Sequence, residues 1–222
     1  MHRKYTPILI MLLAVVTTTC VAQTWDATKD FAPSNPNGAW SYGYGVTGTS
    51  FTLDPYYYHP NCGDIAGFVC WTADVEPHVP HVGFNTTGDW LNWSTVVFPP
   101  DVLGVHPGPN YGQDTIVQWT TPVTGYYKIA GFFEILSTNP TGIFGLVFHN
   151  ATPLYIGELV GPPAQHPDKV GGREDFYFSK LFLNAGDVIS LAVNKDGDYH
   201  YDSTGLDATI TAVPPPCTHC SQ

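Results

Sequence analysis

Residues 125–135 read Gly125-Tyr126-Tyr127-Lys128-Ile129-Ala130-Gly131-Phe132-Phe133-Glu134-Ile135. The odd positions Tyr127, Ile129, Phe133 and Ile135 are apolar, while the even ones include Lys128 and Glu134. Side chains alternate across an extended chain, so a period of two with charges on one side predicts a strand with one buried and one wet face. Pro122 and Gly125 punctuate its start. Working outward, the same period returns near the C-terminus. Phe176 and Phe178 share a face, and then the apolar parity moves to Leu181 and Leu183. A change of parity inside one strand predicts a bulge near Ser179-Lys180. Asn184-Ala185-Gly186-Asp187 is a turn, and Ile189, Leu191 and Val193 then return along one face, so residues 176–193 read as a hairpin. Leu206 to Ala212 alternates again, with Leu206, Ala208 and Ile210 inward. Further strands are expected at Trp40–Val46, Phe68–Thr72, Thr95–Phe98, Asp114–Thr120 and Gly142–His149, with Trp40 and Trp119 in the core.

The pattern predicts an all-β, antiparallel β-sandwich (jelly roll) in a single domain. Composition agrees: aromatics reach 14%, charged residues only 12%, and 22 Gly and 20 Pro interrupt any long helix. The least regular stretch is Asp54 to Pro100, and irregular loops of that length carry function more often than strands do.

The N-terminus sets the compartment. Arg3 and Lys4 precede the apolar run Ile8 to Val16, and Cys20-Val21-Ala22 is a small-residue exit. Residues 1–22 are therefore expected to be a secretory signal peptide, 23–213 the sandwich, and 214–222 a Pro/Cys tail. Acylation at Cys20 is the alternative, although Thr17-Thr18-Thr19 is a poor match to a lipobox. The apolar run is shorter than the roughly 20 residues a bilayer needs, so the chain is read as secreted or held at the cell surface, not membrane-spanning. Losing Arg3 and Lys4 takes the formal charge from −11 to −13. Such a balance, without a basic cluster, argues against nucleic acid as partner.

Four cysteines follow the leader. In an exported chain they read as disulfides, most simply Cys62 with Cys70 and Cys217 with Cys220. Motifs for nucleophilic or zinc hydrolysis, such as Gly-x-Ser-x-Gly and His-Glu-x-x-His, do not occur. His78-Val79-Pro80-His81 is read as two solvated loop histidines, and His106 as a turn histidine that could also contact a ligand. Aromatic rings that stack on sugar faces are sought in or beside the irregular region, which points to Tyr56, Tyr57, Trp90 and Trp93.

Several short segments, in order, carry a resemblance. They are Asn35-Pro36-Asn37-Gly38-Ala39-Trp40, Val105-His106-Pro107-Gly108-Pro109, Val117-Gln118-Trp119-Thr120-Thr121-Pro122, Leu183-Asn184-Ala185-Gly186-Asp187 and Tyr201-Asp202-Ser203-Thr204-Gly205-Leu206-Asp207. The chain resembles exported bacterial β-sandwich proteins that often end in a PEP-CTERM sorting tag, although no such tag follows Pro214-Pro215-Pro216 here. The resemblance implies a jelly roll like that of carbohydrate-binding modules. It also implies a structural calcium held by Asp30 and Asp207; no organic cofactor is expected. The function expected is non-catalytic recognition of a glycan or a cell-envelope component. The alternatives are a structural or adhesive surface protein and a jelly-roll glycosidase.

Overall fold

The computed structural model describes residues 22–161 and 172–214. The expected signal peptide, apart from Ala22, and the tail with Cys217 and Cys220 lie outside these residues. The N-terminal half carries β1 (Thr24–Asp26), β2 (Trp40–Gly45), β3 (Thr52–Leu53), β4 (Tyr56–Tyr58) and β5 (Asn61–Cys62). It continues through β6 (Ile65–Ala66), β7 (Phe68–Thr72), β8 (His81–Asn85), β9 (Leu91–Trp93) and β10 (Val96–Phe98). The C-terminal half carries β11 (Leu103–His106), β12 (Asp114–Thr120), β13 (Gly125–Ile135) and β14 (Ile143–His149). It ends with β15 (Thr152–Leu159), β16 (Arg173–Leu183), β17 (Val188–Lys195) and β18 (Thr204–Val213).

The C-terminal half is a jelly roll. Strand β11 pairs with β18, β12 with β17, β13 with β16 and β14 with β15, all antiparallel. This nesting is one long hairpin rolled up so that successive pairs fall in alternate sheets. One sheet runs β16-β13-β18-β11 and is extended by β8, β7 and β4, with β1 also beside β18; the other runs β15-β14-β17-β12 and is extended by β2 and β3. Their facing surfaces meet in one core. Ile129, Phe133, Leu206 and Ile210 come from the first sheet, and Trp40, Val117, Trp119 and Leu191 from the second.

Strand β13 has the bounds its alternation predicts. The expected bulge is present too, as a register shift where Tyr127 pairs with Leu181 but Ile129 with Phe178. Two expectations need correction. Residues 176–193 do not form a hairpin: β16 and β17 lie in opposite sheets, and the turn at Asn184–Asp187 is an arch across the core. It is tied to the start of the β12–β13 link by Thr121 N–H to the Asp187 carbonyl and Gly186 N–H to the Thr121 carbonyl. Glu134 is not wet either. It is buried, because Arg173 lies over the Phe132 ring and closes on the Glu134 carboxylate at 3.4 Å.

Candidate functional site

The site rests on the outer face of β7, β8, β11 and β18. Their register aligns Cys70, Gly83, Gly104 and Gly205 in one row, and Thr72, His81 and His106 in the parallel row two residues along. The glycines keep this outer face flat. A β-carbon at Gly83 would lie 2.4 Å from Cζ of Phe68, and one at Gly104 would lie 2.8 Å from Cδ1 of Phe98. The rings of Phe68 and Phe98 therefore lie against the backbone, centroids 4.3 Å apart. With Cys62, Ile65, Cys70, Val96 and Leu136 they form a second, smaller core. The disulfide Cys62–Cys70, as expected, pins the β5–β6 hairpin to β7, and β9–β10 forms a second hairpin beside it.

Next to this small core a cavity of about 340 Å³ opens. His81 and His106 line it, with walls from residues 62–65, 77–79, 93–96 and 199–201. Both imidazoles are fixed from behind. Nδ1 of His81 lies 2.8 Å from the His78 carbonyl, and Nδ1 of His106 lies 2.7 Å from the Pro107 carbonyl. A carbonyl only accepts, so each Nδ1 carries the proton and each Nε2 presents a lone pair. Nε2 of His81 is buried without a partner. Burial first, and then the neighbouring His106, depress His81 to about 3; burial likewise depresses His106 to about 4, with His200 adding to the effect. The two rings, 5.8 Å apart, are therefore neutral across ordinary pH.

The rim is aromatic. Trp93 is 43% exposed, Tyr201 is exposed, and Tyr199 sits edge-on to His106 at 6.2 Å. His200 has its Nδ1 held at 2.6 Å by Asp198. His78, Ser94 and Tyr201 all have positive φ, and all three line the cavity. Backbone held in that region by non-glycine residues concentrates at sites where geometry matters.

Of the expected ligand residues, Trp93 and His106 come together here. Tyr56 and Tyr57 lie on β4 at the sheet edge, Tyr56 exposed and Tyr57 packed on Trp71 at 4.9 Å. Trp90 is exposed just before β9 and is not part of the lining. The reading of His78 and His81 as solvated is corrected: His81 is 7% exposed at the head of β8, and the His78 side chain is largely covered. Reading the sequence missed Tyr199, His200 and Tyr201, which enter from the β17–β18 link. It also missed a second aromatic group on the outer face of β13 and β16, where Tyr126 and Phe182 pair at 5.2 Å beside Lys180.

Asp30 and Asp207 serve the protein's own donors. Oδ2 of Asp30 accepts from Asp26 N–H at 2.9 Å and from Trp40 Nε1–H at 3.1 Å, and Oδ1 of Asp207 accepts from the Thr28 hydroxyl at 2.7 Å. Lys29 beside them is raised chiefly by its hydrogen bond to Asp26, with smaller contributions from Asp207 and Asp30. Among the described residues no group of three or more His, Cys, Asp or Glu is arranged to hold a metal ion.

No family model and no curated protein matches the chain. Among solved structures it is similar to rabbit GITRL, at 14% identity over 50% of this chain and 80% of that one, TM-score 0.30. It is similar to the C-terminal CBM6 of LamC from Zobellia galactanivorans, at 13% identity over 50% of this chain and 78% of that one, TM-score 0.27. It is also similar to the GH26-CBM35 β-(1,4)-mannanase of Podospora anserina, at 14% identity over 73% of this chain and 28% of that one, TM-score 0.29.

Proposed function

We propose that the protein is an exported, non-catalytic binding domain that recognises a glycan in the cavity over β8 and β11. The observation that carries this reading is the pairing of an exposed tryptophan, Trp93, with the half-buried imidazole acceptor of His106 in one hollow. Sugar sites have this construction: an apolar ring face for stacking and a few polar atoms that fix orientation. Glycosidic hydrolysis uses two carboxylates, and the lining has one, Asp64. The disulfide is consistent with an oxidising, extracellular compartment.

Binding of the folded chain to an array of neutral and acidic glycans tests this. A hit weakened roughly tenfold by Trp93→Ala is expected from lost stacking. Failure of the folded protein to bind any glycan would sink the reading. It would turn attention to the exposed face at Tyr126, Tyr177 and Phe182 as an adhesive contact with another envelope component.

Calcium at Asp30 and Asp207 is a separate proposal, resting on two carboxylates gathered near Lys29. Thermal unfolding in calcium chloride against a chelator decides it, since a ligand of the folded state alone raises the melting temperature. A rise that Asp207→Ala abolishes supports the site, and an unchanged melting temperature removes it.

A further inference from the structure

The chemistry of the cavity selects among ligands more narrowly than the presence of an aromatic ring does. His106 on β11 presents an acceptor: its Nδ1–H is spent on the Pro107 carbonyl and the half-buried ring lines the cavity, whereas Nε2 of His81 is enclosed by the protein. A ligand that covers His106 must bring hydrogen to its Nε2, because a buried acceptor left unpaired costs about 1–3 kcal/mol. Phosphates, sulfates and carboxylates bring acceptors only. They would find no lysine or arginine in the lining, and Asp64 at its rim. A metal ion is disfavoured by the lack of a third ligand group in suitable position among the described residues. A cationic amine would meet a single exposed carboxylate, screened by solvent. A hydroxyl group answers the acceptor and carries no charge to desolvate.

Size narrows the choice further. At about 340 Å³ the cavity is near the lower end of small-molecule sites, which span about 300–1,000 Å³. That is room for one sugar ring rather than a length of chain. His78, Ser94 and Tyr201, all with positive φ, stand in the walls around that volume.

Resting on the glycan reading above, we infer that the cavity is a subsite for one neutral sugar residue, one of whose hydroxyls donates to Nε2 of His106 while its apolar face meets Trp93. Sugars that would place a carboxylate or an ammonium inside the hollow are disfavoured by the cost of desolvating that charge.

Calorimetric titration of the mature chain tests this. The probes are the methyl glycosides and hexaoses of glucose, xylose, mannose and galactose, against a galacturonate hexamer, a glucosamine hexamer and zinc chloride. A neutral sugar should bind, and its methyl glycoside should retain most of the hexaose's affinity. His106→Phe keeps the ring's bulk but not its acceptor, and should weaken binding on the order of tenfold. His106→Gln, which can bring an amide oxygen near the position of Nε2, should restore most of it. His106 is only half-buried, so both variants can be checked for folding by their unfolding curves. Equal binding by wild type and His106→Phe would overturn the subsite and leave glycan recognition elsewhere intact. Binding of only the charged hexamers or of zinc would overturn its chemistry. Binding of none of the probes would remove subsite and glycan reading together.

Discussion

The buried neutral state of His81 has a measurable price in acid. The unfolded imidazole titrates near 6.5, while burial and the facing His106 and His78 hold the folded one at about 3. The folded value is depressed, so the stabilisation is complete above pH 6.5 and is lost as pH falls toward 3, because the unfolded chain takes the proton first. At about pH 5 the unfolded imidazole lies about 1.5 pH units inside its protonated range, at about 1.4 kcal/mol per unit, so the loss is about 2 kcal/mol. That figure holds wherever the folded value lies, provided it is well below 5. The wild-type profile alone does not isolate it. Asp202, raised to about 7 mainly by burial, works in the opposite sense and gains stability as pH falls through the same range. The difference between wild type and His81→Asn does isolate it, since asparagine can keep a donor for the His78 carbonyl. Guanidinium unfolding of both proteins at about pH 7.5 and about pH 5 should show the wild-type advantage shrinking by about 2 kcal/mol. Parallel profiles for the two proteins would refute the assignment of a buried, neutral His81.

Three further outcomes follow from buried features of the same half. Asp54 is buried with neither carboxylate oxygen hydrogen-bonded, and burial pushes its carboxyl well above the usual range. Asp54→Asn should therefore raise the melting temperature at neutral pH, by a margin that narrows as pH falls toward 4; a lowered value at neutral pH would count against it. Gly83→Ala places a methyl group 2.4 Å from the Phe68 ring and 2.8 Å from the Val69 carbonyl. Chemical denaturation should find it destabilised by about 1–3 kcal/mol. Replacing Cys62 and Cys70 together by alanine opens a loop of sequence separation 8 and should cost about 2.5 kcal/mol. An unchanged denaturation midpoint would mean the β5–β6 hairpin is held by its packing alone.

The jelly roll was legible because its strands are long and half-buried. In β13 and β18 the inward and outward positions differ in polarity, and that difference survives into the sequence as alternation. The hairpin misreading at 176–193 came from the same data: turn chemistry at Asn184–Asp187 shows that the chain reverses, but not whether the return strand joins the same sheet. The stretch 54–100 resisted for a different reason. Strand β7 is buried on both faces, one under the main core and one under the small core, so Phe68-Val69-Cys70-Trp71-Thr72 has no alternation to read. Strands β3 to β6, β9 and β10 are two or three residues long. The candidate site was half-visible. Trp93 and His106 stood out by residue type, whereas His81 becomes a neighbour of His106 only through the β8–β11 register, which joins positions far apart in sequence. Tyr199 and His200 arrive from still further along the chain.

One feature of the pairing scheme bears on the timing of assembly. Strand β18 is central in its sheet, with β13 on one side and β11 and β1 on the other, and the Thr24 and Thr211 hydroxyls meet across 187 residues. Until β18 is synthesised, β1 and β11 each lack a neighbour and the sheet under the cavity stays open in the middle. At roughly 5–20 residues per second the ribosome takes roughly ten seconds or longer to deliver it. Contacts this distant also form slowly once the chain is complete. The architecture thus leaves a gap in the middle of this sheet until the last strand is made, so that closing the sandwich is a late event that joins the two ends of the described chain.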